Sequence, residues 1–200
     1  MQDTIRVAEY SAKMPVRVEF YTRSYHVSGD VEVNRWRLAD VLNDRSTPFV
    51  LMENVVREPL PGFTQVGGND LARAAQFLQI LKSAILFGIP HEASGYENAR
   101  NAYLSSLYSE RALVAASAIV TPFEVRGTMH LRRPYRVRQA LEELPAEFIP
   151  MTHVEAIYLP DPRMHIIAEL AVANRAMAEI FVLSDESAVA SSRGFSPSST

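Results

Sequence analysis

The chain has no cysteine. That excludes a disulfide framework, a thiolate nucleophile and any zinc site of the cysteine type. It also lacks an excess of either charge: 20 Lys and Arg stand against 23 Asp and Glu, the formal net charge is −3 and the pI is about 6.0. No global field therefore draws in nucleic acid. Long hydrophobic runs are missing too. The longest, Ser83 to Pro90, is too short to span a bilayer and follows Lys82. The opening residues MQDTIRVAEYSAK mix acids, a lysine and polar groups, without the basic-then-apolar order of an export signal. These absences together lead to the expectation of a soluble cytoplasmic protein with no membrane partner.

Several chemistries lack their signatures. Gly67-Gly68 stands without the Lys-Ser/Thr pair of a phosphate-binding loop. The histidines at 26, 91, 130, 153 and 165 show no paired metal spacing, and His153-Val154-Glu155 reads as two polar groups on one wet strand face. Glu142, Glu143 and Glu147 read as the solvated side of an amphipathic helix, and no serine sits in a strand-turn-helix elbow. The expectation is of no catalytic constellation, no metal and no cofactor.

What is present is a stretch that occurs twice. Tyr25 to Asn54 reads YHVSGDVEVNRWRLADVLNDRSTPFVLMEN, and Phe123 to His153 repeats its aromatic-x-Val-x-Gly opening and its later landmarks. Gly29 and Gly127 are 98 residues apart; Leu42, Phe49 and Met52 each lie 99 residues before Leu141, Phe148 and Met151. Landmarks held in step over some thirty residues mark a duplicated unit. With 48% hydrophobic and 22% charged residues there is material for a core, but a unit near half of 200 residues buries only part of its surface. Two tandem copies of a small, strongly bent antiparallel sheet or half-barrel, each with one short helix, are therefore expected to pack as a pseudo-twofold pair. The fold class expected is mostly β, of the α+β kind.

Alternation of apolar and polar residues places strands at Val16 to Tyr21 and Tyr25 to Asn34. Gly29 interrupts the second of these, and Gly127 its counterpart, where glycine serves a bulge, sharp coiling or a close backbone approach. Leu38, Val41 and Leu42 give a short helix over Leu38 to Asn43; Val137, Ala140, Leu141 and Leu144 carry the same stripe, and Pro145 stops it. Trp36 and Tyr135, just before the two helices, are expected to close each sheet-helix seam. Third strands follow at Pro48 to Val56 and Phe148 to Tyr158, where Pro150 suggests an edge or a bulge. Leu71 to Ile89 has both helical and strand character. The repeat favours a hairpin with strands at Phe77 to Leu81 and Ala84 to Ile89, and a short helix is the alternative. The organisation expected is a first β unit with its lead-in at 1–90, a partly helical connection at 91–112, a second β unit at 113–184 and a disordered Ser-rich tail at 185–200.

One local feature departs from the neutral background. Arg126, His130, Arg132, Arg133, Arg136 and Arg138 gather at the strand-helix junction of the second unit, and Arg35 and Arg37 hold the corresponding place in the first. Arginine suits phosphate, carboxylate and aromatic stacking, so with Trp36 and Tyr135 these residues form a candidate contact surface for a partner or for single-stranded nucleic acid. Ordinary surface ion pairing with Glu32, Asp40, Glu124, Glu142 and Glu143 is the competing reading.

The bent V-x-G-x-V strand in a short barrel-like unit resembles the Sm-like small β-barrels, whose coiled five-strand sheets oligomerise through their edges. The likeness covers about thirty residues per copy. The helix falls between the second and third strands rather than before the first, and the Asp and Asn loop residues that hold uridines in Sm proteins are missing, so RNA binding is not implied. The chain also resembles duplicated small-barrel domains of unknown function met in bacterial genomes. The function expected is a non-catalytic binding or assembly module for a protein partner or a homo-oligomer. The alternatives are nucleic-acid binding through the arginine junction and an enzyme with a site in the groove between the units.

Overall fold

The computed structural model describes residues 13–34, 37–63, 74–91, 111–132, 136, 139, 142, 144 and 146–184. In chain order the elements are β1 (Lys13–Tyr21), β2 (Tyr25–Asn34), α1 (Leu38–Asn43), β3 (Phe49–Pro59), β4 (Ala74–Leu81), a 3-10 turn (Lys82–Ala84) and β5 (Phe87–Pro90). Then come β6 (Arg111–Val120), β7 (Phe123–Arg132), β8 (Phe148–Tyr158), β9 (His165–Asn174), a second 3-10 turn (Arg175–Met177) and β10 (Ile180–Ser184). The protein is mostly β, and the ten strands of the described residues form one antiparallel sheet in the order β10-β6-β7-β8-β9-β5-β1-β2-β3-β4. The sheet is continuous across the junction at β9 and β5.

The alternation read from the sequence produces the buried faces. Val16, Val18 and Phe20 on β1 and Val27, Val31 and Val33 on β2 are buried in a first core with Leu38 and Leu42 of α1. A second core gathers β6 to β10 around Val114, Phe123, Met151 and Tyr158. Each core draws residues from the other half of the chain: Phe148 and Val172 enter the first, while Tyr21, Phe87 and Ile89 enter the second. Tyr21 shares a face of β1 with Arg17 and Glu19 but is buried, because that face meets the second core, where its ring stacks on Phe87 at 4.5 Å.

Both central glycines stand where two backbones come unusually close. The β2–β3 register shifts between Ser28 and Asp30, and the β7–β8 register shifts between Arg126 and Thr128. Opposite each shift a non-glycine residue takes positive φ, Asn54 at 50° and His153 at 51°. A Cβ on Gly29 would lie 2.9 Å from the Glu53 carbonyl oxygen, and one on Gly127 would lie 3.0 Å from that of Thr152. The first distance is shorter than real side chains show and the second would force the neighbouring backbone to give by a few tenths of an ångström, so the bulged strand favours glycine opposite it.

Two expectations change. The two strands expected within Leu71 to Ile89 do not pair with each other as a hairpin. β4 pairs with β3, the 3-10 turn carries the chain round, and β5 pairs with β1 and β9 instead. Local sequence located the strands and the break between them, but the partner of β5 is set by long-range packing. The helical alternative also gives way to β4 over Ala74–Leu81. Pro150 does not mark an edge strand, since β8 lies between β7 and β9. The pairing of β8 with β7 nevertheless begins only at Thr152, so at Pro150 one side of the strand has no ladder to interrupt. The connection at 92–110, the tail at 185–200 and most of the second helix lie outside the described residues; Gln139 and Glu142 are helical.

Candidate functional site

The junction at β5 and β9 shows how this sheet joins edge to edge. Phe87 lies opposite Ala173 and Gly88 opposite Val172, and the Asn174 amide donates to the Leu86 carbonyl at 2.8 Å. The Asn174 side chain, 2% exposed, donates to the Ile85 carbonyl at 2.8 Å and accepts from the Ala176 amide. Gly88 is obligatory for a different reason from the bulge glycines: a Cβ there would meet the Phe20 ring at 2.7 Å. Successive pairs feed opposite cores, Phe87 and Ala173 the second, Val172 of the next pair the first. The junction is thus buried on both faces.

Asn43, the last residue of α1, ties the first half of the chain to the start of β8. Its amide donates to the carbonyls of Phe148 (2.7 Å) and Ala39 (2.9 Å), and its Oδ1 accepts from the amides of Phe148 (2.9 Å) and Glu147 (3.1 Å). Tyr158 adds a link, donating from its hydroxyl to the Pro61 carbonyl at 2.7 Å. Lys82, buried at the first 3-10 turn, donates to the Asp44 carbonyl at 2.5 Å, and burial holds its pKa down.

The outer strands of the sheet are β4 and β10. Among the described residues, no strand pairs with the outer side of either. Their sequences are AAQFLQIL and IFVLS, with no charged residue in either. Phe77 and Leu81 on β4 and Ile180 and Val182 on β10 are exposed. Natural sheets usually protect a free edge with charge, proline or a bulge, and these two strands carry none of them.

A polar cluster sits beside the junction. Glu19 accepts from the Tyr21 hydroxyl at 2.8 Å and meets His26 at 3.0 Å and His91 at 2.8 Å; His26 Nδ1 lies 3.9 Å from Glu58. The hydrogen bond with His26, supported by Tyr21 and the histidine charges against the cost of burial, lowers the Glu19 pKa to about 2. Burial, then the adjacent Glu19, pushes the Tyr21 phenol well above its ordinary range. Among the described residues no group of three or more acids and histidines could hold a metal ion. A separate cleft of about 480 Å³ is lined by Thr22, Tyr25, Arg57, Gln79 and Met177, and the Arg57 guanidinium lies 4.8 Å from the Tyr25 ring centroid.

The arginine surface expected from sequence is only partly described. Arg126 is exposed and paired with Glu124 through bonds of 2.8 and 2.9 Å, as the ion-pair reading anticipates. Hydrogen bonding to Glu124 raises the Arg126 pKa, and the same bond lowers that of Glu124. His130 turns to Thr152 Oγ1 at 2.9 Å. Arg37 and Arg136 are exposed, and Arg132 lies on β7 opposite Arg111. Arg35, Trp36, Arg133, Tyr135 and Arg138 lie outside the described residues. Sequence reasoning missed the Asn43 clamp, which has no local signature because its partner is about a hundred residues away. The Glu19 cluster had a faint signal: Glu19 and His26 fall on the polar faces of adjacent strands.

Compared with family models, curated proteins and solved structures, the chain shows no significant match. No helix of the described residues is long and apolar enough to cross a membrane.

Proposed function

We propose that this protein is a non-catalytic assembly module, built from a duplicated small β unit and working through the edges of its sheet. One observation carries the reading: both outer strands are apolar and uncharged, and they leave Phe77, Leu81, Ile180 and Val182 exposed. An extended edge of this kind adds a further strand by main-chain hydrogen bonds and buries its side chains in doing so.

The duplication is supported by correspondence of pairing. Val18 lies opposite Gly29 on β2, and Ala116, 98 residues further on, lies opposite Gly127 on β7. Within each half the strand order is the same, β5-β1-β2-β3-β4 and β10-β6-β7-β8-β9. In place of the pseudo-twofold pair expected from sequence, we propose a head-to-tail relation between the units. A twofold at the junction would set equivalent strands side by side, and β5 lies beside β9 rather than β10.

Light scattering on the eluting chain at low and high salt, with the absorbance ratio that reports nucleic acid, tests the function. The expected species is larger than 22.4 kDa, free of nucleic acid and insensitive to salt, because its contacts are apolar. Val182→Lys should dissociate it. A species carrying nucleic acid that is shed at high salt would instead favour the arginine surface, since phosphate contacts weaken steeply with salt. A monomer that captures no partner and turns over a substrate would refute the module.

A further inference from the structure

We infer that the occupant of these edges is a second copy of this chain, joined head to tail, with β10 of one copy pairing antiparallel with β4 of the next in the register of the internal junction. The inference rests on the assembly reading and goes beyond it by naming the partner, the strands and the register.

The internal junction is the template. The 3-10 turns are preceded by Leu81 and Asn174, 93 residues apart, and β3 and β8 pair with them equivalently, Phe49 with Leu81 and Phe148 with Asn174. The same separation relates Phe87 to Ile180 and Gly88 to Phe181, which face Tyr21 and Phe20 on β1 and Ile119 and Ala118 on β6. Each end of the sheet thus presents the half of a junction that the other end lacks.

Burial supports the same conclusion. Phe87 and Ile89 are 0% and 6% exposed where β9 covers β5; their counterparts Ile180 and Val182 are 53% and 45% exposed on the outer strand β10. Asn174 is 2% exposed inside the junction, whereas its counterpart Leu81 is 57% exposed. Leu81, Ile180 and Val182 are uncovered apolar positions that the junction would bury, with the exposed Gln79 and Glu179 beside them.

Transferring the internal register places Ile180 of one copy opposite Ile80 of the next, Phe181 opposite Gln79 and Glu179 opposite Leu81. Such a contact uses different surfaces on the two partners, so it joins copies in series rather than as an isolated pair.

The absence of cysteine makes the test clean. Glu179 and Leu81 are both exposed, so Leu81→Cys and Glu179→Cys leave the cores intact. Directly opposed residues of antiparallel strands have Cα atoms about 4.5–5.5 Å apart, within the span of a disulfide. Under mild oxidation the L81C/E179C protein should give reducible bands at multiples of 22.4 kDa, and each single variant should stay at 22.4 kDa. Self-crosslinking of a single variant to the same extent would mean that like edges meet, and would overturn the inference. An unmodified chain that is multimeric by light scattering, with no crosslink in the double variant, would overturn the register and partner strands while leaving the assembly reading intact. A monomer at every concentration would overturn the inference and leave the module dependent on a different protein partner.

Discussion

Replacing Asn43 with alanine isolates the contribution of one side chain to the junction between the two cores. The substitution removes two donated and two accepted hydrogen bonds, but their losses are unequal. Phe148 is 1% exposed, so its amide and carbonyl lose a partner where water cannot easily replace it. Each such orphaned group costs about 1–3 kcal/mol. The Glu147 amide belongs to an exposed residue and the Ala39 carbonyl to a half-buried one, so both can turn to water at little cost. Alanine also favours the helix by up to about 0.5 kcal/mol over asparagine. The net expectation is a loss of roughly 2–5 kcal/mol. Asn43→Asp keeps the accepted bonds but sets a carboxylate oxygen against the Phe148 and Ala39 carbonyls, so it should cost at least as much as alanine. Urea unfolding followed by far- and near-ultraviolet circular dichroism gives the measurement. Coincident curves are expected, because each core contains residues of the other half and the two should unfold together. A change within about 0.5 kcal/mol for Asn43→Ala would refute the reasoning.

Other outcomes follow from the same physics. The folded-state pKa of Glu19, about 2, lies below its ordinary value of 4.5, so its contribution is present above pH 4.5 and disappears as pH falls towards 2. With solvent screening of this partly exposed group, that shift is worth at most about 3 kcal/mol, and the stability-against-pH curve of Glu19→Gln should be flatter than that of the parent across this interval. Gly29→Ala and Gly127→Ala each force a methyl against a backbone carbonyl oxygen and should cost about 1–3 kcal/mol by chemical denaturation. Gly62→Ala, with φ of +88° but open space around it, should cost about 1 kcal/mol through backbone strain alone.

The strands were legible because period-two alternation is a local consequence of burying one face of a pleated ribbon. Val16, Val18 and Phe20 declared their face without any knowledge of what would cover it, and Leu38 and Leu42 did the same for α1. Gly29 and Gly127 were legible as breaks in alternation, and the structure supplies the cause in the carbonyl of the bulged strand opposite each. Pairing across the sheet was not legible. Nothing in Phe87 to Pro90 says that this strand leaves β4 for β1 and β9, because the energy that decides it comes from covering both of its faces at once. The arginine surface stood out in the sequence because charge is conspicuous there; Asn43 did not, though three of its four hydrogen bonds reach the other half of the chain.

By itself, then, the sequence determined the local matters: where strands begin and break, which face of each is apolar, where glycine is required, and which chemistries the absence of cysteine removes. Only the tertiary structure decided that the ten strands form one sheet, that β5 meets β9, and that β4 and β10 are left as its outer strands. The reason is physical. Alternation is set by neighbours along the chain, whereas the choice of strand partner is a competition among distant surfaces, settled by which arrangement buries the most apolar area while leaving few buried backbone groups unpaired.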